Sequence, residues 1–215
     1  LAYIAGGGIA LRWYRDQFYT VARGQALPSE GELYDEMTSW ALKAPAGSDG
    51  LFFSPHLGGR ICPASPAMRG AWVGFSWTHT QAHFFRAVLE SVAYEYAYYL
   101  SILTELLPDL RLTEARAVGG GARSGVWNQI KADVLGVPYQ RLDGNEFGTW
   151  GCALIAGKAA GLFDDLEARA AEGAQPVVAP VNPVADRRAI YDPLIKRYIA
   201  LQSTLNDFYT QEHHS

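Results

Sequence analysis

The sequence has few cysteines and no long apolar run. Only two of its 215 residues are cysteine, Cys62 and Cys152, and they lie far apart without the spacing of metal ligands. We therefore expect reduced thiols in a cytoplasmic protein. The longest apolar segment, residues 152–161, is too short for a transmembrane helix and contains Lys158, so no membrane partner is expected.

The sequence also lacks a strong positive charge. Its formal net charge is −4 at pH 7 and its pI is about 5.7, which argues against a nucleic-acid-binding surface. Hydrophobic residues make up 49% of the chain, enough for one large core or two small ones. The sequence begins at Leu1, inside a patterned segment and without a signal peptide, and we expect it to be part of a longer protein.

The most informative segment that is present is "AVGGGARSGVWNQIKADVLG", residues 117–136. A short apolar run meets three glycines, Ser124 is a favourable helix N-cap, and Gly136 is placed to end the helix. A strand, a glycine turn and a helix in this order commonly hold a phosphate or a nucleotide. The P-loop pattern GxxxxGK[ST] is absent, so any ATP must be held by another arrangement.

The residues alone leave three interpretations of this turn open. It can be the nucleotide site of an ATP-binding protein, the dinucleotide fingerprint of an oxidoreductase, or a purely structural turn. In the second interpretation Gly119 and Gly121 match the first two glycines, whereas Ser124 replaces the third. Asp143 then lies near the position expected for a ribose-binding acid.

Strands that alternate with helices predict the α/β class. One helix is predicted to start at Thr78, which would form a capping box with Gln81, and to end at Pro108. Another, over residues 147–161, carries small residues spaced by four that should lie tightly against a neighbour. The other predicted elements are helices after residues 6–8 and over residues 33–42, strands over residues 115–118 and 137–142, and a terminal helix with an apolar seam over residues 191–208.

Two histidines, His79 and His83, lie four residues apart, which is the spacing of two zinc ligands on a helix. The segment "HTQAH" has no Glu after the first His, and no third ligand is evident. We interpret both as packed, hydrogen-bonded residues of a helix start. The sequence therefore predicts no metal site.

Three separated segments together carry a resemblance to one known family. The first is "GGGIALRWYRD", a glycine segment before a W-x-R-D helix. The second is "RGAWVGFSWTHTQAHFFRAVLESVAYEY", and the third is "GGGARSGVWNQIKADVLGVPYQRL" followed by "GTWGCALIAGKAAGLF". The second contains a G-x-aromatic-x-G stretch and an R-A-x-x-E helix, whose positions here are Gly70, Trp72, Gly74, Arg86, Ala87 and Glu90. The three segments, in this order, resemble the C-terminal part of the FGGY family of carbohydrate kinases.

The resemblance implies an actin-like ATPase or ribonuclease H-like fold, here a three-layer lobe with helices packed on a mixed sheet. Residues 1–215 would form the C-terminal, nucleotide-binding lobe of a two-lobed kinase, without its first strands and its N-terminal lobe. The implied activity is ATP-dependent phosphorylation of a sugar or polyol hydroxyl with Mg²⁺. The implied partners are ATP, a small sugar or polyol and the missing lobe, and a homodimer is possible.

The resemblance also implies where ATP is held. A glycine without Cβ lets a backbone approach a flat base closely, as Gly121 would do at the adenine. In the glycerol kinase branch an Asn stands at the position of Gly125 and a Gln at that of Arg12. The implied nucleotide-binding residues are Gly8, Arg12, Gly120, Gly121, Ala122 and Gly125.

The family's catalytic groups would lie outside this sequence. The general-base aspartate and the Gly-Thr loop that contacts the β- and γ-phosphates are expected upstream of Leu1. None of Asp16, Asp133 and Asp143 matches the base, so we expect no catalytic residue here and no activity from this chain alone. Two alternatives remain: a non-catalytic actin-like nucleotide-binding module and an NAD-dependent oxidoreductase.

Overall fold

The described part of the chain is rich in helices. A computed structural model describes residues 4, 6–19, 30–142, 146–176 and 178–211. None of the described helices combines the length and the apolar character needed to cross a membrane. The α-helices are α1 (Gly7–Tyr14), α2 (Glu30–Ala41), α3 (Gln81–Leu106), α4 (Gly125–Leu135), α5 (Phe147–Ala159), α6 (Leu166–Gly173) and α7 (Ala185–Gln211).

Four short strands form two separate two-stranded sheets within the described ranges. β1 (Phe52–Ser54) pairs antiparallel with β2 (Ala71–Val73), with Phe53 opposite Trp72. β3 (Ala115–Ala117) runs parallel to β4 (Tyr139–Arg141), and α4 connects them. The second pair is a strand–helix–strand unit, and the predicted α/β class is confirmed.

The middle of α3 lies at the centre of the main hydrophobic core. Residues 85–95 are all buried, so this part of the helix is enclosed on every side. The helices α1, α2, α4 and α7 and strand β1 contact it. A second, smaller core of Ala117, Ala122, Ala132 and Tyr139 lies where β3, β4 and α4 meet.

A carboxylate that is fully buried on α3, that of Glu90, joins three parts of the chain. It accepts hydrogen bonds from the Gly47 amide at 2.9 Å and the Ser48 hydroxyl at 2.8 Å, and from Arg86 Nε and the Tyr191 hydroxyl, both at 2.7 Å. Burial first, and the Glu90 charge second, raise the pKa of Tyr191, so its hydroxyl remains a donor. The R-A-x-x-E segment thus has a structural role here.

Arg86 extends the same network. Its Nη1 donates to the carbonyls of Ala41 and Ala44, both at 3.1 Å, where α2 ends. Its Nη2 donates to the Tyr191 hydroxyl at 2.9 Å. Each of these contacts compensates for the removal of the guanidinium from water.

A second buried carboxylate, that of Glu95, repeats the arrangement one and a half turns along α3. It accepts from the Tyr198 hydroxyl at 2.8 Å, lies 3.2 Å from His56 Nε2 and is 3.5 Å from Arg60 Nη2. Tyr191 and Tyr198 therefore fix α7 to α3 at two points that lie seven residues, about two helical turns, apart. The predicted apolar seam of the terminal helix includes both tyrosines, but their hydroxyls are bonded to carboxylates.

The turn over residues 47–50 has a strained backbone. All four residues have positive φ, including 48° at Ser48 and 51° at Asp49, which L-residues other than glycine rarely adopt. Glu90 binds the start of this turn, and Asp49 Oδ2 lies 3.1 Å from Nε2 of His83. The contacts with α3 therefore hold the turn in this conformation.

The predicted start of α3 is wrong by two residues. The N-cap is Thr80, whose amide donates to Nδ1 of His83 at 3.1 Å. Thr78 is instead part of the preceding turn, where its hydroxyl lies 2.9 Å from Ser76 Oγ. Two threonines two residues apart can each cap a helix, and the local hydrogen bonds of the turn select the second.

The small residues of α5 do not form the predicted close contact. Gly148, Cys152, Ala156 and Ala160 are all exposed. Tight packing occurs instead at Gly157, where a Cβ would lie 2.7 Å from the Phe163 ring. Residue size alone does not indicate which face of a uniformly apolar helix is covered.

We predict that Tyr191→Phe destabilises the protein. The variant removes one charge-assisted donor from Glu90 and one acceptor from Arg86, so the free energy of unfolding should fall by about 1–3 kcal/mol. Urea denaturation measures this loss. Tyr209→Phe, near the end of the same helix, is the control and should change stability by less than about 0.5 kcal/mol. Equal losses in the two variants would contradict the role assigned to the Glu90 network.

Candidate functional site

The glycine segment after β3 forms the predicted turn before a helix. Gly119 has φ 81° and ψ −175°, a conformation essentially restricted to glycine. Residues Gly120–Arg123 then form a 3-10 turn, and the Ser124 hydroxyl caps α4 by accepting from the Trp127 amide at 3.2 Å. Gly136 ends α4 in the left-handed conformation. The strand–turn–helix unit and both helix ends are confirmed.

This turn borders a cavity of about 890 Å³. α1 and α2 form two other walls, and Leu89 of α3 and Trp127 of α4 complete the lining. The volume suits a ligand of the size of a nucleoside or a cofactor fragment. The lining residues are Gly7, Gly8, Ile9, Leu11 and Arg12 of α1; Gly31, Tyr34, Asp35 and Thr38 of α2; Gly120, Gly121, Arg123 and Ser124 of the turn; and Ile4, Leu89 and Trp127.

The structure brings four of the six predicted nucleotide-binding residues to this cavity. Gly8 and Arg12 lie on α1, and Gly120 and Gly121 lie on the turn. A Cβ built on Gly8 or Gly120 would meet no atom within 4 Å, so both positions leave the cavity open. The juxtaposition of residues more than a hundred positions apart supports a shared site, although their role as ligands stays a prediction.

The other two predicted residues lie elsewhere. Ala122 is buried in the smaller core, and its carbonyl accepts from Asn128 Nδ2 at 2.7 Å. Gly125, the first residue of α4, lines a neighbouring cavity of about 440 Å³ together with Arg86 and Arg187. Neither residue is in the lining of the larger cavity.

Sequence reasoning missed the wall contributed by α2. Its lining residues, Gly31, Tyr34, Asp35 and Thr38, recur at three- and four-residue steps on one helical face. Tyr34 is fixed by Arg15, which donates to its hydroxyl at 3.2 Å and lies 5.3 Å from its ring centroid. The sequence offered only the mixed polarity of this helical face as a sign of a binding wall. An ordinary solvent-exposed helix has the same mixed polarity, so the site could not be predicted from it.

Gly121 has a different packing environment from that of Gly120. A Cβ at Gly121 would lie 2.7 Å from Cζ3 of Trp127, closer than real Cβ contacts allow. Trp127 is 5% exposed, and its Nε1 donates to the Leu89 carbonyl at 2.9 Å. The absence of a side chain at Gly121 is therefore required by the protein itself.

Lys131 lies one helical turn beyond Trp127 and is also 5% exposed. Its Nζ is 3.7 Å from the Trp127 ring centroid and 5.4 Å from that of Tyr139. Burial lowers the pKa of Lys131 to about 7, because a charged ammonium loses its hydration there. The ring faces stabilise the charged form when it is present.

The carboxylates considered in the sequence have other roles or lie outside the described residues. Asp133 is buried and accepts from the Val184 amide and from Gln129 Nε2, both at 2.8 Å. Asp16 pairs with Arg15 at 2.6 Å. Asp143 falls outside the described ranges.

The two histidines make hydrogen bonds at the start of α3. His79 Nδ1 accepts from the Ser76 amide at 2.9 Å. His83 Nδ1 accepts from the Thr80 amide, so its Nε2 carries the proton that faces Asp49. Within the described ranges, no three His, Cys, Asp or Glu side chains are grouped so as to hold a metal ion.

Comparison with known proteins identifies the relatives of this fold. Residues 2–160 match the sequence model of the FGGY family of carbohydrate kinases, C-terminal domain. A gluconokinase of Bacillus subtilis (strain 168) is 32% identical over 212 residues, which are 97% of this chain and 40% of that protein. A xylulose kinase of Staphylococcus epidermidis is 32% identical over 161 residues, 74% of this chain and 30% of that protein.

A solved structure agrees with the sequence comparison. The ligand-bound xylulose kinase of Lactobacillus acidophilus superposes with a TM-score of 0.80 at 26% identity, over 96% of this chain and 39% of that protein. The actin-like ATPase fold predicted from the sequence is thereby confirmed. The chain spans about two fifths of the length of the gluconokinase and of this solved structure.

We predict that Lys131→Met changes how stability depends on pH. The folded-state pKa is about 7, whereas an unfolded lysine titrates near 10.4, so the unfolded chain binds more protons between these values. Stability of the wild type should therefore rise as the pH increases through this window. Below pH 7 the buried lysine is charged in the folded state, and the whole desolvation penalty of that charge destabilises the fold.

The neutral methionine has no such cost, so the variant should gain melting temperature at pH 6 and lose that advantage toward pH 10. Thermal unfolding at several pH values measures the effect. Lys196→Met, at an exposed position of α7, serves as the control and should follow the wild type. Parallel curves for Lys131→Met and the wild type would contradict the assigned pKa.

Proposed function

Since this chain belongs to the FGGY family of carbohydrate kinases, we propose that residues 1–215 are the nucleotide-binding lobe of an ATP-dependent sugar or polyol kinase. The observation that carries the proposal is the cavity between α1, α2 and the glycine turn. It brings together Gly8, Arg12, Gly120 and Gly121, which the family resemblance implies as nucleotide contacts.

The cavity has the features that an adenosine group requires. Gly8 and Gly120 present backbone without side chains, and the space beyond each is open. Leu89 and Trp127 supply apolar surface, and Asp35 supplies a carboxylate that can accept from ribose hydroxyls. On the α1 wall, Arg12 offers a positive charge for a phosphate oxygen.

The contribution of this chain to the reaction is binding and orientation. Phosphoryl transfer depends mainly on positioning and on neutralisation of charge. In this proposal the cavity holds the adenosine end, so that the terminal phosphate points toward groups supplied outside residues 1–215. Mg²⁺ would neutralise phosphate charge there. Magnesium is usually bound through substrate phosphates and one or two carboxylates, and the described residues contain no cluster suited to it.

The relatives support a polyhydroxylated acceptor. Similar proteins include a gluconokinase, a xylulose kinase and a glycerol kinase, which act on polyhydroxylated substrates. The gluconokinase similarity extends over 97% of the chain and the xylulose kinase similarity over 74%. We therefore rank gluconate first and xylulose second as substrates to test.

The nucleotide site is tested by filling the cavity from positions with open space. Gly120→Leu should weaken ADP binding at least tenfold, about 1.4 kcal/mol, because the side chain would occupy the proposed adenosine position. Isothermal titration of the folded variant measures the change. Gly148→Leu, on exposed α5 with no atom within 4 Å of its Cβ, is the control and should bind as the wild type. Unchanged binding by folded Gly120→Leu would refute the site.

Turnover measurements test the proposal that residues 1–215 bind the nucleotide while the catalytic groups lie outside them. A protein that contains this chain and the remaining three fifths of a typical relative should release ADP in the presence of its sugar. The isolated chain should not, because the general base alone typically contributes 10²–10⁴-fold and the orientation of the acceptor would be lost as well. A coupled ADP-release assay with gluconate, pentuloses, hexuloses and polyols measures both.

Comparable sugar-dependent rates from the two chains would show that residues 1–215 contain a general base and would refute the proposed division of roles. Nucleotide binding by the longer protein without any sugar-stimulated turnover would favour the non-catalytic nucleotide-binding module instead.

A further inference from the structure

Trp127 is held in one orientation by contacts on several sides. Its indole N–H donates to the Leu89 carbonyl of α3 at 2.9 Å, which fixes the rotation of the ring. The ammonium of Lys131 lies 3.7 Å from the ring centroid and covers one face. Trp127 is nevertheless one of the residues that line the cavity. A rigid ring therefore connects the central helix to the wall of the proposed nucleotide site.

The same ring limits the position of the glycine turn. A Cβ at Gly121 would lie 2.7 Å from Cζ3 and 3.3 Å from Cε3 of Trp127. Because the hydrogen bond to Leu89 and the packing around the ring resist its displacement, the turn would have to move instead. Gly120, the preceding residue, has no such restriction, since a Cβ there meets nothing within 4 Å.

We propose that Trp127 is a positioning residue of the nucleotide site, whose indole ring sets the position of the glycine turn. Gly121 is then required by its contact with this ring and not by the approach of the adenine base. The inference rests on the proposed function for its link to nucleotide. The contact between Gly121 and Trp127 is independent of that link.

The two explanations of Gly121 make different predictions about rescue. If a base approaches the glycine directly, any side chain at position 121 obstructs it, whatever residue stands at 127. If the ring is the obstacle, Trp127→Phe, which lacks the outer indole carbons Cζ3 and Cη2, should accommodate the added methyl group. A double-mutant cycle separates the two cases because it isolates the pairwise term.

The experiment measures ADP dissociation constants and urea unfolding for six proteins: the wild type, Gly121→Ala, Gly120→Ala, Trp127→Phe, and the two double variants that combine Trp127→Phe with each glycine substitution. Gly121→Ala should weaken ADP binding about tenfold and lower stability without nucleotide. Trp127→Phe alone should weaken ADP binding about three- to tenfold, because the turn loses its support, and adding Gly121→Ala to it should weaken binding by no more than about threefold further. Gly120→Ala should keep wild-type stability. It should weaken ADP binding because its methyl group enters open space beside the proposed nucleotide, and adding Trp127→Phe should not restore that binding.

Tryptophan emission provides a readout that a purely structural role would not change. Of the tryptophans within the described ranges, only Trp127 lines the cavity, so an ADP-dependent change in emission should vanish in Trp127→Phe. An undiminished change in that variant would overturn the proposal.

Failure of the folded double variant Gly121→Ala with Trp127→Phe to keep the ADP affinity of Trp127→Phe would also overturn it and would assign Gly121 to the base. So would additive unfolding energies, because they would show that the ring and the glycine are not coupled. If the wild type binds no ADP, the proposed function fails, and the unfolding cycle still decides whether Trp127 positions the turn.

Discussion

A carboxylate that water does not reach must find hydrogen-bond donors inside the protein, and Glu90 finds them in three parts of the chain. The turn over residues 47–50, the Arg86 guanidinium on its own helix and the Tyr191 hydroxyl of α7 all converge on it. Removing the partners of a buried charge costs several kcal/mol, so separating these parts from α3 would lower the free energy of unfolding by a comparable amount. The network thereby fixes the end of α2, the strained turn and α7 against α3.

The site depends on the same helix through the neighbouring residue. Leu89, adjacent to Glu90, accepts the indole N–H of Trp127 through its carbonyl. The ring in turn packs against Gly121, and the turn borders the cavity. α1 and α2, which form the other walls, also contact α3. A displacement of α3 would therefore change three walls of the cavity together.

The extent to which the sequence predicted this structure follows from how local each signal is. Ser124 and Gly136 determine the ends of α4 by hydrogen bonding and backbone conformation within a few residues, so both were predictable. The start of α3 was not, because Thr78 and Thr80 are both competent caps and a nearby serine engages the first.

Features that arise from tertiary contact were beyond local reasoning. The α2 wall of the cavity and the exposure of the small residues of α5 depend on which segments meet in space. The family resemblance supplied Gly8 and Gly120–Gly121, which converge on one cavity, but it also supplied Ala122 and Gly125, which lie elsewhere. Proximity in sequence to a glycine turn does not determine which side of the turn a residue faces.

The three buried clusters around α3 and α4 differ in how their charges are compensated. Arg86 and Glu90 neutralise each other within hydrogen-bonding distance, and Arg60 lies near Glu95. The contacts that the structure shows for the Lys131 ammonium are ring faces instead. An aromatic face compensates a buried cation less completely than a carboxylate does, and burial accordingly lowers the pKa of Lys131 to about 7. The ring nearest to this ammonium is that of Trp127, which also packs against the glycine turn. Loss of the Lys131 proton near neutral pH therefore removes a cation–π contact from the side chain that supports the turn.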